Sequence, residues 1–132
     1  MIVVDTNVVA YFVIPGAQTP GAERVRAKDN QWTVPQLLRF ELLTVVAKEF
    51  RGNRLSRDGA LRTFRRGMNL VSVTKLQSDP LFIFNSCQAT GCSPYDLEFV
   101  WLAMELGVPL VTADQQVLRA FPTVAVDVSA FG

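Results

Sequence analysis

Five short apolar runs, at residues 1–4, 32–34, 70–73, 109–112 and 124–128, constrain this chain more than any other feature. They are too apolar along their length to leave one face in water, so each reads as a strand covered on both sides. The segments between them carry helical signals. Thr6 is expected to cap a helix reaching about residue 12, closed by Pro15 and Gly16, and Thr19 with Pro20 opens a second to about residue 28. Pro35 opens a third, in which Leu37, Leu38, Leu42, Val45, Val46 and Phe50 recur near the 3.6-residue period before Gly52. Ser56 starts a basic helix to about residue 66, and Asp79 with Pro80 opens another that Gly91 terminates. Ser93, Pro94 and Gly107 frame the next, and a short helix runs through residue 121. This alternation predicts a three-layer α/β sandwich, with a mostly parallel central sheet flanked by helices. With no internal repeat, linker or low-complexity segment, residues 1–132 read as one domain around a single core.

Histidine is absent, which removes imidazole acid–base catalysis, the Ser-His-Asp triad and every histidine-containing metal site. Any enzyme built from this chain works with carboxylates. Cys87 and Cys92 are too few for a disulfide framework and read as reduced, packed thiols. No basic leader precedes a cleavage site, and no apolar run approaches the roughly 20 residues that span a bilayer. The expected location is therefore the cytoplasm, away from membranes. A net charge of +1 says nothing about a nucleic-acid partner for the chain as a whole.

Four acids stand out by context. Asp5 and Asp114 each follow an apolar strand, where open parallel sheets place their ligands. Glu41 interrupts the apolar stripe of the third helix, one turn from Leu37, Leu38 and Val45, and an unpaired charge there is expensive to bury. Asp96 lies in the first turn of the helix beginning at Pro94, on a face shared with Phe99 and Val100. Taken singly, each has an ordinary explanation. Asp5 and Asp114 suit turns or caps, Asp96 suits a helix N-terminus, and Glu41 suits a pairing with Arg39 or Arg119. Taken together they require a common neutraliser, and a hard divalent cation held by oxygen is the simplest one.

In order and spacing, Val4-Asp5-Thr6-Asn7-Val8, Glu41, Ser93-Pro94-Tyr95-Asp96 followed by Leu102-Ala103, and Leu110-Val111-Thr112-Ala113-Asp114 resemble the PIN-domain pattern. The resemblance spans essentially the whole chain and looks like a VapC-type toxin ribonuclease. It implies that Asp5, Glu41, Asp96 and Asp114 are the catalytic acids, a set that would hold Mg²⁺ or Mn²⁺; within it Asp5 and Asp96 are expected to stand nearest the ion. Thr6, Asn7 and Thr112 would support them as polar neighbours. It also implies endonucleolytic cutting of RNA and an antitoxin protein whose tail covers the acidic cleft. The chain departs from the pattern at Gln115 and Gln116, where relatives often carry charge that would serve a second metal or a substrate contact. Asp127 reads as structural.

Two further features bear on partners. Arg51, Arg54, Arg57, Arg62, Arg65 and Arg66 face one acid, Asp58, within residues 51–66. That imbalance suits contact with an RNA backbone, chiefly through Arg62, Arg65 and Arg66, or else an ordinary solvated or acid-binding helix. Leu81, Phe82, Ile83 and Phe84 make a helix apolar all round, which, with the resemblance, suggests a homodimer; a helix buried within the monomer explains the same run. Among other functions, a phosphoacceptor receiver domain wants paired acids after the first strand and a late lysine. Here Thr6-Asn7 follow Asp5, and no lysine follows Lys75. A haloacid-dehalogenase-type phosphatase wants an aspartate where Asn7 stands. A non-catalytic PIN-like module that binds RNA or protein is the main alternative, and the presence of all four acids argues against it.

Overall fold

The computed structural model describes residues 1–132. All five expected strands form: β1 (Ile2–Val4), β2 (Trp32–Val34), β3 (Val71–Val73), β4 (Leu110–Thr112) and β5 (Ala125–Asp127). They make one sheet in the order β3-β2-β1-β4-β5, and every pairing is parallel rather than most of them. The register sets Val3 beside Thr33 on one side and beside Leu110 on the other. The chain thus builds outward from β1 through β2 to β3, then returns to the other side of β1 for β4 and β5. That reversal puts a topological switch point between the carboxyl ends of β1 and β4, the position where open α/β sheets bind ligands.

Parallel neighbours need crossovers, and here each long one contains two helices. α1 (Thr6–Val13) and α2 (Thr19–Lys28) lead to β2, α3 (Leu37–Arg51) and α4 (Arg57–Asn69) to β3, and α5 (Pro80–Thr90) and α6 (Pro94–Leu106) to β4. The short α7 (Gln115–Ala120) precedes β5, and α8 (Val128–Phe131) ends the chain. Right-handed crossovers running in opposite directions from the switch point put α1 to α4 on one face and α5 with α6 on the other. The packing agrees: α1, α3 and α4 meet one another, while α6 lies against β1, β4 and α5.

The core covers the central strands on both sides, but not the edge strand β3, where Ser72 and Val73 are exposed against the expectation that every strand is covered. Every residue of β1 and β4 is buried. Trp32 is 1% exposed, meets Phe12 edge-to-face at 5.9 Å and donates its indole N–H to the carbonyl of Asp29. No buried side-chain nitrogen or oxygen lacks a hydrogen-bond partner. Cys87 and Cys92 are free thiols, partly and fully buried.

Several local expectations need correction. Asp5, not Thr6, caps α1, accepting from the Val8 N–H, which leaves the Thr6 hydroxyl for a distant partner. Thr19 does not cap α2: Gln18 holds that position without a side-chain bond, while the Thr19 hydroxyl accepts from Gly16 N–H and donates to the Tyr11 carbonyl. The last strand stops at Asp127, which caps α8 by accepting from Ser129. The apolar helix α5 is not buried all round, since Leu81 and Phe84 are 63% and 69% exposed.

Gly67 marks where α4 packs closest. A Cβ there would stand 2.7 Å from Cδ2 of the fully buried Leu42 on α3 and 3.4 Å from Cγ1 of Val9 on α1. Gly67→Val is therefore expected to destabilise the protein by about 2 kcal/mol, since overpacking outweighs the gain in backbone entropy. Urea denaturation checks this, and an unchanged midpoint would mean that the three helices can separate freely.

Candidate active site

At the switch point lies a cavity of about 500 Å³ lined by Asp5, Glu41, Asp96 and Asp114 together. Four different elements deliver them. Asp5 ends β1 and caps α1, Asp114 follows β4 and caps α7, Glu41 projects from α3, and Asp96 sits in the first turn of α6. The two caps tie the local fold to the site. Asp5 Oδ1 accepts from Val8 N–H at 3.0 Å and Asp114 Oδ1 accepts from Val117 N–H at 3.1 Å, which orients both side chains at the sheet edge. Ser93 caps α6 by accepting from the Asp96 N–H, so the Asp96 backbone is fixed as well.

Two threonines hold the carboxylates. Thr112, 1% exposed, donates its hydroxyl to Asp5 Oδ2 and accepts from the Asp114 N–H at 3.0 Å, coupling the two strand ends. Thr6, 7% exposed, donates to Glu41 Oε1 at 2.7 Å and so fixes the acid that breaks the apolar stripe of α3. Asn7 lines the cavity but is exposed and makes no side-chain hydrogen bond, so it stands apart from the threonines with which it was grouped.

The electrostatics are those of uncompensated negative charge. Burial pushes the Asp5 carboxyl up to about 6 against the opposing bonds from Thr112 and Val8, and the charges of Asp114 and Asp96 push the same way. Burial also raises Glu41, with the charge of Asp96 adding to it and the Thr6 bond opposing. Asp96 is raised by burial and then by the charge of Asp114, against the bond from Ser93. No lysine or arginine lines the cavity. The only ion pairs, Met1 with Asp29 and Arg54 with Glu49, lie elsewhere. The pairing of Glu41 with Arg39 or Arg119 does not form; Arg39 lies over the rings of Phe40 and Phe64 instead.

The donor set is all oxygen and suits a hard divalent cation. No three of the acids stand as a closed cage that would hold a metal outright. Asp5 engages both carboxylate oxygens in protein hydrogen bonds, and Glu41 and Asp114 one each. A Mg²⁺-type ion fits such an open site, because it binds one or two carboxylates and keeps several waters.

Arg62, Arg65 and Arg66 are exposed on α4 and do not line the cavity, and neither do Gln115 and Gln116. Sequence reasoning missed the aromatic lining. Phe40 and Tyr95, 61% and 63% exposed, stand at the cavity beside Glu41 and Asp96 in the chain. Adjacency of a large ring to each helical acid was the available signal.

The chain matches the PIN domain family over residues 2–122. It is 26% identical over 127 residues to ribonuclease VapC3 of Pyrobaculum aerophilum, covering 92% of this chain and 95% of that protein. Its fold is similar to that of PAE2754 from Pyrobaculum aerophilum, with a TM-score of 0.74 at 22% identity, covering 96% of this chain and 88% of that one. It is also similar to a chain of a toxin–antitoxin complex from Klebsiella pneumoniae, with a TM-score of 0.69 at 15% identity and 96% of each chain covered. At these identities the solved structures speak for the fold alone.

Proposed function

This chain belongs to the PIN-domain family, and from that premise we propose that it is a Mg²⁺- or Mn²⁺-dependent endoribonuclease, the toxin of a toxin–antitoxin pair. The observation that carries the reading is the meeting of Asp5, Glu41, Asp96 and Asp114, from four separate elements, on one cavity without a basic residue. The relative named as a ribonuclease, aligned over nearly its whole length, supports RNA as the substrate. The similarity to a chain in a toxin–antitoxin complex supports an antitoxin partner. No helix is long and apolar enough to cross a membrane, and the proposed place of action is the cytoplasm.

Asp5 and Asp96 would be the nearest metal ligands, with Glu41 and Asp114 binding directly or through water. When bound, the ion supplies charge neutralisation at the scissile phosphate and a water of lowered pKa. The chain's own part is to hold the acids ready. Thr112 keeps Asp5 and Asp114 in register across β1 and β4, and Thr6 keeps Glu41 turned into the cavity. Leu37, Val45 and Phe99 form apolar walls that limit water around the acids. The test is incubation of a mixed structured RNA pool with purified protein in Mg²⁺, Mn²⁺ or EDTA, with Asp5→Asn alongside. Metal-dependent cutting lost in the variant is expected. Intact RNA with folded, metal-binding protein would favour the non-catalytic binding module instead.

Arg62, Arg65 and Arg66 would contact the RNA backbone from the exposed face of α4, next to the helix that carries Glu41. Replacing all three with glutamine is expected to reduce the logarithmic salt slope of RNA binding by about 2. An unchanged slope would return α4 to the ordinary solvated helix. Exposed Leu81 and Phe84 on α5 support a homodimer, which light scattering at micromolar concentration tests. A monomer mass, unaltered by Phe84→Asp, would count against it.

A further inference from the structure

Beside the acidic cavity lies a second one of about 450 Å³, and Leu37 and Tyr95 line both, so the two adjoin across a shared wall. Its other groups include Gln36 at the start of α3, Gln77 and Ser78 in the segment before α5, and Glu98 on α6. Tyr95 and Glu98 are three residues apart on one helix and share a face, which brings a ring and a carboxylate into the same hollow. Tyr95 is 63% exposed and pairs with no other aromatic ring. Glu98 is only partly exposed, and the Ser78 hydroxyl donates to its Oε1 at 2.8 Å. No lysine or arginine forms an ion pair with it. A carboxylate oriented by one hydrogen bond and lacking a cation still has acceptor sites for donors on a ligand.

We infer that this second cavity is a nucleobase subsite, in which a guanine next to the phosphate at the acidic cavity stacks on Tyr95 and donates to Glu98. The inference rests on the ribonuclease reading and adds a base preference to it. Unpaired bases are recognised by stacking on aromatic rings and by hydrogen bonds along their pairing edges. A carboxylate only accepts, so it selects an edge rich in donors. Guanine presents two neighbouring donors there, N1–H and the N2 amino group. Uracil presents one, flanked by carbonyl oxygens that the carboxylate would repel. The amide groups of Gln36 and Gln77 can donate to guanine O6.

An amide NMR titration of the full chain in EDTA with GMP, IMP, AMP and UMP tests this without any cutting step. GMP is expected to shift the Gln77, Ser78, Tyr95 and Glu98 amides and to bind about tenfold more tightly than UMP, with IMP, which lacks the amino group, between them. Glu98→Gln should bring GMP down to the level of UMP. Tyr95→Ala should weaken all four nucleotides alike, and Tyr95→Phe should restore them; the spectra themselves report whether each variant is folded. Equal binding of GMP and UMP, shifts confined to other residues, or an unchanged preference in Glu98→Gln would overturn the subsite. A guanine preference in a protein that cuts no RNA would leave the subsite standing and remove the nuclease reading. Cutting by a protein without that preference would do the reverse.

Discussion

Asp5→Asn is expected to lower RNA cleavage about a thousandfold, the loss that ~4 kcal/mol of transition-state stabilisation implies, while making the metal-free protein more stable at neutral pH. The two effects share one cause. Burial with no cationic partner pushes the Asp5 carboxyl up to about 6, so at neutral pH the folded chain carries a charge it does not solvate well. The amide is neutral, and its oxygen can still accept from Val8 N–H and preserve the cap of α1. A shift from 3.8 to about 6 sets an upper bound of about 3 kcal/mol on the gain, reduced by any weakening of the Thr112 bond. Single-turnover cleavage and thermal melts in EDTA measure both. Lost activity with raised stability cannot come from misfolding, and wild-type cleavage by the variant would remove Asp5 from the machinery.

The pH dependence of stability is the second large effect. In the unfolded chain Asp5 ionises near 3.8, and in the folded chain near 6. Between those values the folded state holds a proton that the unfolded state has released, so stability falls as pH rises. Below the interval both states are protonated and there is no penalty; above it both are ionised and the penalty is constant. Melts in EDTA should therefore show wild-type stability, measured against Asp5→Asn, dropping by up to about 3 kcal/mol from near pH 4 to near pH 7. Asp29, held below its usual range by the N-terminal ammonium, and Asp127, held down by Ser129, act in the opposite direction. Both are common to the two proteins and cancel in the difference. A difference that is flat with pH would mean that Asp5 is not desolvated as described.

What could be read from the sequence divides along physical lines. Strand positions were legible because β1 and β4 are buried along their whole length and, apart from the hydrogen-bonded Thr112, carry no polar residue to obscure the signal. Helix ends were legible where a side chain or a left-handed glycine sets them, as at Ser56, Asp79, Ser93, Gly91 and Gly107. Thr6 and Thr19 misled for a common reason: each hydroxyl finds a more distant partner, Glu41 and the Tyr11 carbonyl, which local pattern does not register. The final helix α8 was missed because four residues carry no period. Within the site, the four acids were found by their awkwardness, charge on an apolar stripe or at the end of an apolar strand. Phe40 and Tyr95 were not, because an aromatic residue on a helix reads as core until its exposure is known.

Mn²⁺ titration by calorimetry at neutral pH, on the wild-type protein and on Asp5→Asn, Glu41→Gln, Asp96→Asn and Asp114→Asn, tests the central claim most directly. Saturable binding to the wild type, weakened in all four variants although their residues lie on four elements far apart in the sequence, is the predicted result. No binding by folded wild-type protein, or binding untouched in every variant, would contradict it.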